Sequence, residues 1–320
     1  IIPGSLKLSV IQLTRILFLL VLLFSHNGCS ESRDSLQFCS RSDCSYSIVL
    51  PGMISISEGE DPEKFFLLTE KGLKKINFDI KEGFPFAYDI KKNMCGLKKS
   101  DMDGFLIKIF DVKDNKNIVE TSLPETVSSI FSGCFLKNGS LAMLLLEENE
   151  NLSRRYFLSL SEGLDINSWR SYLIREETSS DLIGKILSLG SSFERPVSIQ
   201  CSDDRIFIHT LTTYSDMIQA SIYRFDVEKK ALVFETGYHP LNVKDGTVSI
   251  FFNEKKNTGY VHQKRELVIL KGSDFPVKTK FDEPGEVFFS PASDGEGLLI
   301  YFIPETKDHV PAKARIMQFD

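Results

Sequence analysis

The 320-residue chain is sparing with the side chains that most enzymes rely on: five histidines, six cysteines and a single tryptophan. Outside the N-terminal apolar run the histidines are His209, His239, His262 and His309. They form no HExxH pair and no close His–Cys arrangement, so zinc-protease and thiol-protease chemistry finds no footing. No GxSxG elbow, GxxxxGK(S/T) loop or GxGxxG turn occurs, and no motif demands a metal or a cofactor. A basic surplus is missing too. Lys and Arg number 38 against 44 Asp and Glu, a net charge of −6. With nothing in excess to neutralise phosphates, no nucleic-acid partner is expected. Nor does any apolar run reach the roughly 20 residues that span a bilayer as a helix. The remainder, 42% hydrophobic and 26% charged, is the composition of an ordinary globular chain rather than a disordered or collagenous one.

What the chain does have begins at its N-terminal end. Lys7 and Arg15 precede the run Ile16 to Phe24, nine strongly apolar residues of the length of a signal-peptide core. Ser25-His26-Asn27-Gly28-Cys29-Ser30 follows at once. Gly28-Cys29 resembles a bacterial lipobox, in the loose form known from spirochaetes among other lineages. His26 and Asn27 depart from the usual Leu and Ala/Ser. The resemblance implies that residues 1–28 are a signal peptide and that Cys29 is acylated as the mature N-terminus. Ordinary cleavage near Ser30 is the alternative. Residues 1–28 hold two basic residues and no acid, so the chain from Cys29 carries 36 basic against 44 acidic residues, a net −8. Residues 29–45 would be a polar tether, and the chain a lipid-anchored protein of the bacterial cell envelope, at the outer membrane.

From residue 46 to 320, runs of four to seven residues rich in Ile, Val, Phe and Tyr alternate with Asn, Asp, Gly and Lys turns. That is the pattern of antiparallel hairpins. One phrase repeats. Leu106 to Lys113 (LIKIFDVK) matches Ser221 to Glu228 (SIYRFDVE), each followed by a strand ending Glu-Thr, at Glu120-Thr121 and Glu235-Thr236. A third copy stops at Phe319-Asp320. Units of roughly 35–50 residues repeated about six times give an all-β, β-propeller-like fold; a β-sandwich is the alternative. The cut-off last copy needs a strand from elsewhere, and Ser45 to Leu50 is the expected donor. An insertion near 164–194 holds Trp169 and a helical pattern from Ser180-Asp181 to Leu187.

Among the cysteines, Cys39 and Cys44 are close enough to close a small disulfide loop, or they stay free. Cys134 and Cys201 each end an apolar stretch before a turn and read as small buried apolar residues. The pairs Lys74-Lys75, Lys91-Lys92, Lys98-Lys99 and Lys255-Lys256 read as solvated turn tips. Two carboxylates precede strands in acid-proline settings, Glu60-Asp61-Pro62 and Glu194-Arg195-Pro196. They resemble two motifs of propeller glycosidases of the family-43 type, which implies an acid and a base across a central pocket at Asp61 and Glu194. The middle Asp motif of those enzymes is not recognisable. The favoured expectation is therefore a non-enzymatic binding or scaffold module for a protein or saccharide, held to the membrane by its lipid; a hydrolase using Asp61 and Glu194 is the alternative.

Overall fold

The structure, a computed structural model, describes residues 29–37, 44–50, 52–58, 63–69, 72–76, 80–89, 91–101, 104–114, 116–149, 153–177, 193–214, 217–242, 248–263, 265–271, 276–280, 285–291, 298–304 and 313–319. One strand, β1 (Cys29–Gln37), precedes five consecutive four-stranded antiparallel sheets. The first is β2 (Cys44–Leu50), β3 (Met53–Glu58), β4 (Lys64–Thr69) and β5 (Gly72–Ile76). The second is β6 (Phe84–Asp89), β7 (Met94–Asp101), β8 (Gly104–Asp111) and β9 (Lys116–Ser122). The third is β10 (Val127–Phe135), β11 (Leu141–Glu148), β12 (Arg154–Glu162) and β13 (Asp165–Glu177). The fourth is β14 (Phe193–Ser202), β15 (Arg205–Tyr214), β16 (Met217–Asp226) and β17 (Ala231–Asn242). The fifth is β18 (Val248–Asn253), β19 (Thr258–Gln263), β20 (Glu266–Lys271) and β21 (Val277–Lys280). The sixth sheet has only β22 (Gly285–Pro291), β23 (Leu298–Pro304) and β24 (Lys313–Phe319) of its own, and β1 completes it. The fold is a β-propeller whose blades are these six sheets.

The last blade does borrow a strand, but not the expected one. Cys29 pairs with Phe319 and Gln37 with Lys313 along β24. Ser45 to Leu50 instead pairs with β3 as the first strand of its own blade. The stretch expected as a tether, 29–45, thus supplies β1 and the start of β2, so the propeller reaches back to residue 29. The physical reason is position in the sheet. An outermost strand such as β9 is mostly solvent-facing, so the polar run Ser30 to Ser35 suits that place, while Ile48-Val49-Leu50 suits an inner one.

Blade 3 packs face to face with both of its neighbours, so its inner strands are covered on both sides. Leu141 to Leu146 shows the consequence: six consecutive buried apolar residues. Leu141, Met143 and Leu145 face blade 2 in one cluster, and Ala142 and Leu144 face blade 4 in another. The Phe-Asp repeat also has a structural cause. Asp111 Oδ1 accepts the backbone N–H groups of Lys113 and Asp114, and Asp226 Oδ1 accepts that of Lys229. In both blades the Asp closes the turn from the third strand to the fourth. That turn and the one joining strands one and two lie at what is called here the hairpin end of the blades. Second-to-third connections and blade-to-blade crossovers lie at the crossover end.

The first part of the segment read as an insertion is a regular strand. Residues 165–177 are β13, the outer strand of blade 3, with Trp169 half-buried against the core between blades 2 and 3. The helical pattern at 180–187 lies outside the described residues. Of the lysine pairs, Lys91-Lys92 and Lys255-Lys256 are in turns, but Lys74-Lys75 lies in β5 and Lys98-Lys99 in β7.

Candidate functional site

β13 ends in Arg175-Glu176-Glu177 and β14 opens with Phe193-Glu194-Arg195. These two ends meet at the crossover end of the seam between blades 3 and 4. Glu194 accepts a hydrogen bond from Thr210 Oγ1 at 2.7 Å, and Arg175 Nη1 stands 3.9 Å from its other oxygen. Arg175 also reaches Glu177 at 3.4 Å, a carboxylate buried to 1% exposure. On the far side Tyr223 donates its hydroxyl to Glu194. Burial, and then that hydrogen bond and the adjacent charge, push the Tyr223 phenol up to about 12. Burial and the neighbouring Glu177 charge likewise raise Tyr156.

Chemically this is a shared-cation arrangement, with one guanidinium between two carboxylates and a phenol and a hydroxyl completing the shell of Glu194. Such a carboxylate is fixed in orientation by charge-assisted bonds. Glu194, named from the sequence, is thus embedded in a blade seam, held by residues that sequence reasoning missed. Arg175, Glu177, Thr210 and Tyr223 lie up to 29 positions away in the chain, and no local motif marks them. Its proposed companion Asp61 lies outside the described residues.

Cys29 is the first residue of β1. Cys39 lies outside the described residues and Cys44 begins β2, so the structure leaves that pairing undescribed. Cys134 and Cys201 are not apolar filler. They form a disulfide with Cα atoms 5.5 Å apart, joining β10 to β14, the inner strands of blades 3 and 4. Their matching positions before a turn were legible; that adjacent blades bring such positions together was not. Cys95 is a buried free thiol whose ionisation burial suppresses.

His209 and His262 are buried in β15 and β19. His209 Nδ1 shares a 2.9 Å hydrogen bond with Ser198 Oγ, and burial drives its pKa down to about 3. His239 falls within β17, and His309 lies outside the described residues. Among the described residues no group of three or more His, Cys, Asp or Glu is placed to hold a metal ion, and no helix is long and apolar enough to cross a membrane.

No protein-family model matches the chain, and no curated protein matches it. Solved structures similar to it include a Bacteroides fragilis protein named as exported only by inference, at 14% identity over 91% of this chain and 95% of that one, with a TM-score of 0.48. The β-propeller domain of Cps50 (Swd1) from Myceliophteria thermophila is similar at 9% identity over 90% and 99%, TM-score 0.39. Hsv2 from Kluyveromyces lactis is similar at 10% identity over 83% and 94%, TM-score 0.41. Likenesses this distant say nothing of what the chain does.

Proposed function

We propose that the protein is an exported bacterial envelope protein, lipid-anchored through Cys29 at the outer membrane, whose propeller serves as a binding or scaffold module for a protein or saccharide. The observation that carries the location is the Cys134–Cys201 disulfide. Structural disulfides persist in oxidising compartments outside the cytoplasm, which agrees with the apolar run at Ile16 to Phe24. A binding role is supported by the way Glu194 is held: its carboxylate braces two blades. Six stiff blades then present their connecting loops as recognition surface.

The test is a melting-shift panel on the chain from Cys29 with oligosaccharides, divalent metals and extracellular-matrix proteins. A ligand at a hundred times its Kd adds about 2.7 kcal/mol, which moves the melting point of a domain this size by several degrees. A shift with a matrix protein or a non-hydrolysed saccharide supports the module. Turnover of a saccharide that is lost in Glu194→Gln sinks it in favour of the hydrolase.

A further inference from the structure

The closing strand and the proposed anchor are one segment. β1 starts at Cys29, and Cys29 pairs with Phe319, the last described residue of β24. In blades 2 and 4 the equivalent third strands end at Asp111 and Asp226, where Lys116 and Ala231 open the fourth strand. Strand direction therefore puts Cys29 at the hairpin end of blade 6, with no free chain between it and the sheet. The two ends of the propeller also differ in charge. Among the described residues, connections at the crossover end hold two Lys and Arg against three Asp and Glu, whereas those at the hairpin end hold eight Lys against five Asp and Glu. Among the latter, Lys113, Lys229, Lys230 and Lys256 are exposed.

We infer that the anchored propeller stands with its lysine-rich hairpin end against an anionic phospholipid surface and its crossover end facing away. This rests on the reading of Cys29 as lipidated and adds an orientation to it. An acyl group on Cys29 has no linker to let the domain tumble, so it draws the hairpin end of blade 6 to the bilayer. An anionic leaflet attracts basic groups and repels acidic ones within a Debye length. The hairpin end carries the net positive charge among the described connections, so electrostatics turns the molecule the same way as the attachment point. The loops left for a partner are then those of the crossover end, where Arg175, Glu177 and Glu194 lie.

The full chain is expressed in a bacterium that processes lipoproteins and reconstituted into vesicles of phosphatidylethanolamine and phosphatidylglycerol. Lysines are labelled with an amine-acylating reagent and read by mass spectrometry, against the same protein in detergent. Labelling of Lys113, Lys229, Lys230 and Lys256 is expected to fall about tenfold on vesicles, a bias of the size that a few surface charges produce. Lys99 and Lys280, exposed near the crossover end, label as in detergent. Inserting about a dozen Gly and Ser residues after Cys29 gives a free tether and restores labelling at the hairpin end. Equal labelling of both sets, or protection of Lys99 and Lys280, overturns the orientation. The mass of the N-terminal peptide separates the two readings: an acylated Cys29 with open hairpin-end lysines defeats the orientation alone, whereas an unmodified Cys29 defeats both.

Discussion

Two neighbouring seams of the propeller are held by different means. Between blades 2 and 3 the contact is a broad apolar layer centred on Phe86, which lies so close to β10 that a Cβ at Gly133 would stand 2.7 Å from its ring. Polar groups only trim that seam: Lys98 Nζ donates to the Ile130 carbonyl, and Lys92 Nζ to those of Leu136 and Lys137. Between blades 3 and 4 the apolar layer is backed by specific links. These are the Cys134–Cys201 bond, the Ile199 N–H donated to Ser132 Oγ at 2.8 Å, the Lys137 N–H donated to the Asp203 carbonyl, and the Arg175–Glu194 pair. Close packing tolerates no added atom, whereas a linked seam depends on a few partners. The two seams should therefore fail in different ways.

The largest effect is expected at the linked seam. Cys134 and Cys201 are 67 residues apart, and releasing a loop of that length costs about 4 kcal/mol in the chain-entropy description. Reduction, or Cys134→Ala with Cys201→Ala, should then lower the melting point by on the order of 10 °C. Unchanged urea melts with and without reductant would mean that the bond does not hold the seam. The packed seam answers to added volume instead. Gly133→Ala pushes a methyl into Phe86 and should cost about 2–3 kcal/mol. Phe86→Leu in the same chain should recover part of that loss although it is destabilising alone, a coupling read from a double-mutant cycle. Simple additivity of the two changes would place the cost elsewhere than at the seam.

How far the sequence discloses this molecule follows from the range of each signal. The Phe-Asp repeat was legible because Asp111 and Asp226 act on backbone two or three residues away. Strand runs were legible because burial on both faces writes continuous apolar stretches such as Leu141 to Leu146. The strand that closes blade 6 was not legible: β1 pairs with β24, and Ser45 to Leu50 pairs within its own blade. Ser30 to Ser35 looks like a tether because an outermost strand has the composition of a tether. The site was the least legible part. Glu194 stands out locally by its Pro196 neighbour, yet what fixes its role is Arg175 on another blade, and seam partners leave no periodic trace. Cys134 and Cys201 show the same limit: two similar positions in two repeats, adjacent only once the blades are stacked.

Smaller effects sharpen the contrast. Ser132→Ala leaves the Ile199 N–H buried without its acceptor and should cost about 1–2 kcal/mol. The equivalent change at an exposed bond, Thr126→Ala, should be near neutral. Equal losses at the two positions would show that the cross-seam bond has no special weight.

The gentlest probe is pH, through the next seam round the ring. His209 is buried among the apolar residues between blades 4 and 5, with Nδ1 on Ser198 and no partner on Nε2 among the described residues. Desolvation alone lowers its pKa from 6.5 to about 3. Above pH 6.5 the imidazole is neutral in both folded and unfolded chains, and its burial carries no protonation penalty. Below 6.5 the unfolded chain takes up a proton that the folded protein refuses until about pH 3, so stability falls as pH drops through that window. The slope should approach about 1 kcal/mol per pH unit. Urea melts from pH 7 to 5, before most carboxylates titrate, should show this slope in the native protein and its reduction in His209→Gln. An unchanged slope in the variant would assign the acid sensitivity to groups other than this seam.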